Sequence, residues 1–353
     1  MRVLSLFDGI SVAQQALKEL GIEPEYFASE IDKYALQVTA KNFPNTIQVS
    51  DVTQFEYKEF YGQFDLLIGG SPCQDLSIAK KNREGLSGSR SGLFWHYVRI
   101  LQEVKPKYFV LENVNSMPKE AKETITETLG IEPVMINAAL VSAQNRKRLF
   151  WVGKLVGDEY EQVIIPQPED KGMLLRDILQ LPEEIDEKFF ISYNYDTNRY
   201  FKDDTERKAR TIRTSGRGSG IDDKHNRDTI RIGQIGKGGQ GDRIYSPDGK
   251  SVNLSANGGG RGAKTGLYAV ASRTYPRYKQ VRKDEKSNAL TSVTGDSMVM
   301  DDCVIRKLTP VECERLQSLP DEFTSGISNS QRYKCLGNAF SCAVIKHILS
   351  FIV

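Results

Sequence analysis

Residues 64–74 of the chain read Phe-Asp-Leu-Leu-Ile-Gly-Gly-Ser-Pro-Cys-Gln, an apolar run that passes directly into a turn shaped by glycine and proline. The run predicts a buried strand, and Cys73 follows its end. Residues 108–111 form a second apolar run, which passes directly into Glu112. Open α/β sheets bind their ligands at the carboxyl ends of the strands. A thiol and a carboxyl group at two such ends indicate covalent attack on an electron-poor ring, with a proton supplied across it.

Residues 1–155 alternate strand patterns with helical ones, which predicts an α/β fold with a doubly wound, mostly parallel sheet. The predicted strands are 3–7, 26–29, 46–49, 66–68, 108–111, 134–137 and 149–152, and the predicted helices are 11–20, 32–42, 92–104 and 342–352. Asp32 is predicted to cap one helix, and Thr309 with Glu312 to form a capping box at another. Residues 164–170 interrupt the rhythm and predict a hinge.

Composition argues against several classes of protein. The 353 residues include five cysteines without a CxxC pair and only three histidines, so no metal site and no disulfide framework is expected. A reducing, cytoplasmic location fits this cysteine usage. Asp8 comes too early for a signal peptide, and no apolar run approaches the length of a membrane span, so no membrane partner is expected.

The net charge of +2 hides an uneven distribution. Residues 199–286 hold 21 Lys and Arg against 10 Asp and Glu, together with 14 of the 29 glycines. This region has three similar units that begin at Lys208, Lys250 and Lys286, each leading into a glycine-bearing loop. Repeated hairpin turns would explain the glycines, but not the cations among them. The pattern therefore favours short strands and loops that contact nucleic acid, and Arg217, Arg261 and Lys264 are predicted DNA contacts.

The loop that follows the first predicted strand has the features of a cofactor site. Gly9 lies between that strand and the first helix, and Glu30 follows the next strand, where a carboxylate can hold ribose hydroxyls. Ile31 can lie on an adenine face, and Asp51 follows the third strand. Two carboxylates and a glycine, without a nearby cation for phosphates, suit an adenosine cofactor that lacks a pyrophosphate. S-adenosyl-L-methionine fits this pattern better than NAD.

Two arginines, Arg146 and Arg148, stand two residues apart before a predicted strand. In an extended segment both side chains would face the same side. One could hold the carbonyl of a flipped base or the carboxylate, and the other a phosphate. The alternative is a basic cluster on the surface.

The ordered set of motifs resembles the DNA (cytosine-5) methyltransferase family of bacteria and phages. Six segments carry the resemblance and span nearly the whole chain: residues 7–9, Pro72-Cys73-Gln74, Glu112-Asn113-Val114, Gln144-x-Arg146-x-Arg148, Leu308 to Gln317, and Gly337-Asn338-Ala339. The resemblance implies a Rossmann-like S-adenosylmethionine-dependent methyltransferase fold. One position departs from the family pattern, because Ser11 stands where a second glycine usually follows Gly9.

The resemblance also implies a reaction and its residues. Cys73 would attack C6 of a flipped-out cytosine, Glu112 would act at N3, and Arg148 would bind O2, with Arg146 in the same catalytic group. The implied cofactor contacts are Phe7, Asp8, Gly9, Ile10, Glu30, Ile31, Asp51, Val52, Pro72, Leu93 and Asn338. Gln74, in the motif of Cys73, is an implied DNA contact. Ser77 and Arg90 are implied DNA contacts as well, since residues 77–90 resemble the mobile loop that closes over DNA.

Residues 1–170 and 305–353 are therefore expected to form the catalytic, cofactor-binding domain, and residues 171–304 the target-recognition domain. The expected partner is double-stranded DNA, with a cognate restriction endonuclease as a further candidate, and the expected state is a monomer. Two alternatives stay open at this point. One is a tRNA cytosine-5 methyltransferase on the same scaffold, and the other is a non-catalytic DNA-binding relative.

Overall fold

The computed structural model describes residues 1–49, 51–54, 56, 58–71, 92–189, 229, 231–234, 243–254, 267–271 and 303–353. Eight of the predicted site residues lie outside these ranges: Pro72, Cys73, Gln74, Ser77, Arg90, Arg217, Arg261 and Lys264. No helix in the described part of the chain is long and apolar enough to cross a bilayer.

The first sheet and its helices occupy the first half of the chain. Their bounds are β1 Arg2–Leu6, α1 Val12–Glu19, β2 Glu25–Ser29, α2 Lys33–Asn42, β3 Ile47–Val49, β4 Leu66–Gly70, α3 Leu93–Val104, β5 Tyr108–Val114, α4 Lys119–Leu129, β6 Val134–Asn137, β7 Lys147–Val156 and β8 Glu159–Gln162. The strand order is β3-β2-β1-β4-β5-β7-β6, with β8 paired to β7. Strands β1 to β5 pair in parallel, whereas β7 runs antiparallel to β5, β6 and β8. The predicted doubly wound, mostly parallel sheet is confirmed.

Apolar residues of the central strands alternate between the two faces of the sheet, as a strand period of two requires. In β4, Leu66 and Ile68 pack into one core and Leu67 into the other. The first core is shared with α1, α2 and the C-terminal residues 342–349, and the second with α3 and α4. Both faces are therefore covered, which leaves the carboxyl edge of the parallel strands as the place for a site.

Strand β5 is longer than the sequence predicts. It continues to Val114, so Glu112 lies within the strand and not after it. The reason is the antiparallel partner β7, because Glu112 pairs with Phe150 and Val114 with Arg148. The pairing of β5 with β7 thereby brings the motif of Glu112 next to the motif of Arg148.

A second, four-stranded sheet follows, in the order β12-β11-β10-β9. Its strands are β9 Arg231–Gln234, β10 Arg243–Tyr245, β11 Leu267–Ala271 and β12 Cys303–Arg306. Short strands agree with the prediction for this region. The last strand ends two residues beyond the predicted domain boundary at 304, and the division into two domains stays a prediction.

The chain ends in three helices, α5 Pro310–Leu316, α6 Asn329–Asn338 and α7 Cys342–Leu349. The predicted capping box is present at α5, where Thr309 Oγ1 accepts from the Glu312 N–H at 3.2 Å and Glu312 Oε2 accepts from the Thr309 N–H at 2.8 Å. Helix α7 packs beside α1, and Lys346 Nζ reaches Glu19 Oε2 at 3.2 Å. The C-terminal helices thus return to the first sheet.

Candidate active site

A cleft of about 320 Å³ opens where the parallel strands of the first sheet end. All the predicted catalytic and cofactor residues that the structure describes line it: Phe7, Asp8, Gly9, Ile10, Glu30, Ile31, Asp51, Val52, Leu93, Glu112, Arg146, Arg148 and Asn338. Residues 7–10, 30–31 and 51–52 follow β1, β2 and β3, and Glu112 lies in β5, so the parallel order of β1 to β5 brings them to one edge. The others come from different elements: Leu93 begins α3, Arg146 and Arg148 lie just before and within β7, and Asn338 ends α6.

The loop after β1 owes its shape to left-handed backbone conformations. Phe7, Gly9 and Ser11 have φ of 56°, 62° and 58°. At Ser11 a glycine would adopt this conformation at less cost. The serine hydroxyl instead bonds to the Asp8 carboxylate and lies 2.8 Å from Thr39 Oγ1. These contacts offset the backbone cost and explain how serine can stand at the position where the family usually has glycine.

The Asp8 side chain holds this loop through hydrogen bonds with Ser11 and Tyr26. Its Oδ1 accepts a hydrogen bond from the Tyr26 hydroxyl at 2.7 Å, and the residue is buried. Burial raises the pKa of Asp8, although the hydrogen bonds from Ser11 and Tyr26 oppose this effect. The described contacts of Asp8 are therefore those of a group that holds the loop in place.

The Glu30 carboxylate joins the first loop to the start of α2. Its Oε2 accepts from the Gly9 N–H at 2.8 Å, and its Oε1 accepts from the N–H groups of Ile31 and Asp32 at 2.7 and 2.8 Å. A carboxylate has about four acceptor positions, so these three bonds leave capacity for a hydroxyl donor. Beside it, Ile31 is 74% exposed although it is aliphatic. An exposed aliphatic side chain in a cleft offers a flat apolar contact for a ring.

The third strand contributes Asp51 and Val52 to the same cleft. Asp51 Oδ1 accepts from the Thr53 N–H at 2.9 Å, while Val52 is buried. The carbonyl oxygen of Val52 accepts from the Arg99 guanidinium at 2.7 Å. Because Arg99 lies on α3, this bond ties the third strand end to the helix that begins at Leu93.

The donor set of the cleft fits S-adenosylmethionine. Five carboxylate residues line it, Asp8, Glu30, Asp32, Asp51 and Glu112, against the three cations Lys334, Arg146 and Arg148. A net negative lining complements the positive charge that a sulfonium cofactor carries. Glu30 would hold the ribose and Ile31 would contact the adenine. When bound there, the cofactor supplies an electrophilic methyl group.

Glu112 and Arg148 form an ion pair in the cleft. Arg148 Nε lies 2.8 Å from Glu112 Oε1, and their side chains are only 14% and 13% exposed. Residues 112, 114, 148 and 150 share one face of the β5–β7 ladder, which fixes this pairing. Arg148 also donates to the Lys147 carbonyl at 2.9 Å. These contacts use two of the five N–H donors of the guanidinium, and the others are suited to the oxygen of a base.

The chain leaves β4 next to this ion pair. Gly70, the last residue of β4, pairs with Glu112, and Ser71 Oγ accepts from the Asn113 side-chain amide at 3.1 Å. The segment that continues to Cys73 therefore starts beside Glu112. Cys73 itself lies outside the described residues.

The two arginines occupy different environments, although both line the cleft as their spacing predicts. Arg146 is only 4% exposed, and its guanidinium donates to Asn253 Oδ1 at 2.8 Å and to the Ala339 carbonyl at 2.8 Å. A solvated basic cluster on the surface is thereby excluded for Arg146. Its predicted contact with a base, carboxylate or phosphate remains a prediction.

Several residues of the cleft were not predicted. Lys334 Nζ lies 2.6 Å from Asp32 Oδ2, and Cys335 and Phe340 also line the cleft. Burial raises the pKa of Cys335 to about 12, so this thiol stays protonated and is a poor nucleophile. Helical spacing back from Asn338 along α6 could have indicated Lys334, but Phe340 has no signal in the sequence pattern.

The second of the three lysine-led units begins with a buried residue. Lys250 is buried, and its ammonium donates to the carbonyls of Ala139 and Ser142 at 2.7 and 3.0 Å and to that of Met173. A lysine held in this way cannot contact phosphate. Lys250 is therefore not available as a DNA contact, although it counts among the cations of region 199–286.

This fold and site define an α/β methyltransferase, and comparisons with known proteins identify its family. A family model described as C-5 cytosine-specific DNA methylase matches residues 1–353. The Type II methyltransferase M.HhaI of Haemophilus parahaemolyticus is 30% identical, with 99% of this chain and 93% of that protein covered. The orphan methyltransferase M.SPRI of Bacillus phage SPR is 27% identical, with 100% and 97% covered.

Two solved structures show the same fold at low sequence identity. The Entamoeba histolytica methyltransferase EhMeth superposes with a TM-score of 0.66 at 18% identity, covering 100% of this chain and 97% of that one. The S. pombe Dnmt2 methyltransferase gives 0.61 at 16% identity, covering 100% and 98%. The chain belongs to the C-5 cytosine-specific DNA methylase family. It is a DNA cytosine-5 methyltransferase, and the methyl donor of this family is S-adenosylmethionine.

Proposed function

We propose that the protein methylates C5 of a flipped-out cytosine within a specific sequence of duplex DNA, through a covalent bond between Cys73 and C6. The Glu112–Arg148 ion pair carries this proposal, because it stands where the chain leaves β4 for Cys73. A carboxyl group and a guanidinium on one face can contact N3 and O2 of the same pyrimidine. The base must leave the duplex to reach them.

Each step of the proposed reaction uses a group of the chain. The Cys73 thiolate donates an electron pair to C6, and the pair of the C5–C6 double bond moves to C5. Glu112 shares a proton with N3, and Arg148 donates to O2, so the negative charge that develops in the ring is neutralised. C5 then forms its bond to the methyl group that S-adenosylmethionine would supply, with its S–CH3 bond broken and S-adenosylhomocysteine as the leaving group. Loss of the C5 proton to a base restores the double bond and expels the Cys73 sulfur as thiolate.

The remaining parts of the proposal concern partners and location. Duplex DNA is supported by the basic region 199–286, which is large enough for sequence readout. We further propose that the enzyme acts as a monomer in the cytoplasm. A cognate restriction endonuclease that cuts the same unmethylated sequence is the proposed partner, and a Type II methyltransferase among the relatives supports it.

Methylation mapping tests the proposal. Unmethylated genomic DNA is incubated with the enzyme and S-adenosylmethionine, and 5-methylcytosine positions are read by bisulfite sequencing. We expect methylation at one short recurring sequence, and none with Cys73→Ser. Glu112→Gln and Arg148→Lys should each lower kcat by about 10²-fold or more, since each removes a charge-stabilising contact. Methyl transfer to tRNA without transfer to DNA would contradict the proposed substrate.

A further inference from the structure

Arg146 lies at the meeting point of two distant parts of the chain. On one side its guanidinium donates to Asn253 Oδ1 at 2.8 Å and to the Leu254 carbonyl at 3.4 Å. On the other it donates to the carbonyls of Gly337 and Ala339 at 3.3 and 2.8 Å. A planar fork of five donors can make such contacts at once, whereas a lysine ammonium cannot reproduce the geometry.

The two carbonyls on the second side flank Asn338. Gly337 and Ala339 are buried, while Asn338 is exposed and lines the cleft. Residues 337–339 are the last two residues of α6 and the residue that follows, and are named here the cofactor loop; their backbone is therefore fixed by a side chain that belongs to another motif. These bonds fix the backbone on both sides of Asn338, a predicted cofactor contact.

The first side belongs to residues 251–254, named here the recognition segment. Its backbone pairs with residues 143–145, where the Ser251 N–H donates to the Ala143 carbonyl at 2.8 Å and the Asn145 N–H to the Ser251 carbonyl at 3.0 Å. The recognition segment leads directly into residues 255–266, which contain the predicted DNA contacts Arg261 and Lys264.

Gln144 strengthens the same junction. Its Oε1 accepts from the Leu254 N–H at 3.3 Å, and its Nε2 donates to the Leu316 carbonyl at 3.3 Å. Gln317 Nε2 in turn donates to the Leu336 carbonyl at 2.6 Å, directly before the cofactor loop. Gln144 and Arg146, two side chains of one motif, thus connect the recognition segment with the end of α6, Arg146 directly and Gln144 through Gln317.

We propose that Arg146 is a positioning residue that makes cofactor affinity depend on the placement of the recognition segment. Asn253 does not line the cleft, yet its contact with Arg146 is shared with the carbonyls on both sides of Asn338. DNA that holds the recognition segment in place would therefore also hold the cofactor loop in place. The inference deepens the proposed function and rests on it for the identity of the cofactor.

Binding of S-adenosylhomocysteine, measured by calorimetry without DNA, tests this inference independently of turnover. Arg146→Lys should raise the Kd by about tenfold or more, because buried carbonyls lose charge-assisted donors. Asn253→Ala should raise it by about fivefold. Asn253→Asp keeps an acceptor for the guanidinium and should restore an affinity near that of the wild type. In the double variant Arg146→Lys/Asn253→Ala, the Kd should match that of Arg146→Lys within about twofold.

Tyr268→Phe is the matched control. It removes the hydroxyl that lies 2.9 Å from Ser251 Oγ but leaves the backbone pairing of Ser251 with residues 143–145 and the contact between Arg146 and Asn253, so the recognition segment keeps its place. Its Kd should stay within about twofold of the wild type. Three outcomes would each overturn the inference. They are additive changes of the Kd in the double variant, an unchanged Kd for Asn253→Ala, and equal changes of the Kd in Asn253→Ala and Tyr268→Phe.

Two further readouts keep the test decisive. Thermal unfolding of every variant identifies loss of fold, and if Arg146→Lys does not fold, the Asn253→Ala and Asn253→Asp pair decides alone. Normal binding of S-adenosylhomocysteine by the wild type without methyl transfer to DNA would contradict the proposed function. An intact methyltransferase whose variants all bind normally would contradict only the role of Arg146.

Discussion

Gly70→Ala should damage catalysis more than it damages the fold. A Cβ at residue 70 would lie 2.8 Å from Phe340 Cε1 and 2.9 Å from Glu112 Oε2. Ordinary van der Waals contact requires the carboxylate oxygen to retreat by about 0.5 Å. The 2.8 Å bond between Glu112 and Arg148 cannot survive such a shift unchanged. Since both obstructing groups are ends of side chains, we expect a stability cost of only about 1 kcal/mol.

The catalytic loss should be much larger. In the proposed mechanism a displaced Glu112 would no longer meet the ring at N3, and small misplacements of reacting groups cost about 10²-fold in rate. Gly69→Ala is the matched control, because its Cβ would lie 2.8 Å from the Leu6 carbonyl oxygen and 3.2 Å from the Tyr97 ring. Backbone cannot yield as a side chain does, so this variant should lose about 3 kcal/mol of stability.

Urea unfolding and initial rates of methyl transfer at saturating genomic DNA separate the two variants. The expected result for Gly70→Ala is a kcat lower by about 10²-fold with a nearly unchanged unfolding midpoint. A kcat within threefold of the wild type would refute the reasoning, as would a loss of stability equal to that of Gly69→Ala.

Three further predictions concern charge. Arg306→Met should lower the free energy of unfolding by about 3–5 kcal/mol, because it leaves the fully buried carboxylate of Glu312 without its ion-pair partner. Chemical denaturation measures this loss, and a value below about 1 kcal/mol would contradict the prediction. Burial acts to raise the pKa of Asp32, but the bond and charge of Lys334 and the N–H groups of Tyr34 and Ala35 together outweigh burial and lower the pKa, so these contacts stabilise the fold above the ordinary carboxyl range and their contribution is lost as pH falls through the folded pKa. Lys334→Met should therefore flatten the decrease in stability below about pH 4 in a denaturation series, and an unchanged slope would count against the pair. Arg217→Ala and Arg261→Ala should each weaken DNA binding and reduce the slope of log K against log salt by about 1, whereas unchanged slopes in fluorescence anisotropy would remove both residues from the DNA interface.

Local sequence patterns were sufficient for most of the first sheet and its cleft. The apolar run before Gly69 and the run before Glu112 each reflect a strand buried on both faces, which needs no knowledge of distant contacts. The capping box of Thr309 was predictable for the same reason, since all its atoms lie within one turn. Because parallel strands bring their carboxyl ends to one edge of the sheet, the location of the site could also be predicted without knowledge of distant contacts.

Features that depend on partners far along the chain were not predictable. Strand β5 extends past Glu112 only because β7, more than thirty residues later, provides the ladder. Lys250 reads as a surface cation within a glycine-rich region, and only tertiary structure supplies the three carbonyls that bury it. Arg146 has the spacing of a second site arginine, yet its contacts with Asn253 and Ala339 span more than a hundred residues.

Covalent trapping tests the central claim most directly. The enzyme is mixed with S-adenosylmethionine and duplex DNA in which 5-fluorocytosine replaces cytosine, and the products are separated under denaturing conditions. Fluorine at C5 prevents the final elimination, so the account predicts a stable protein–DNA adduct that peptide mass spectrometry assigns to Cys73, and its absence in Cys73→Ser. An adduct at another residue, or methyl transfer to ordinary duplex DNA by Cys73→Ser, would contradict it.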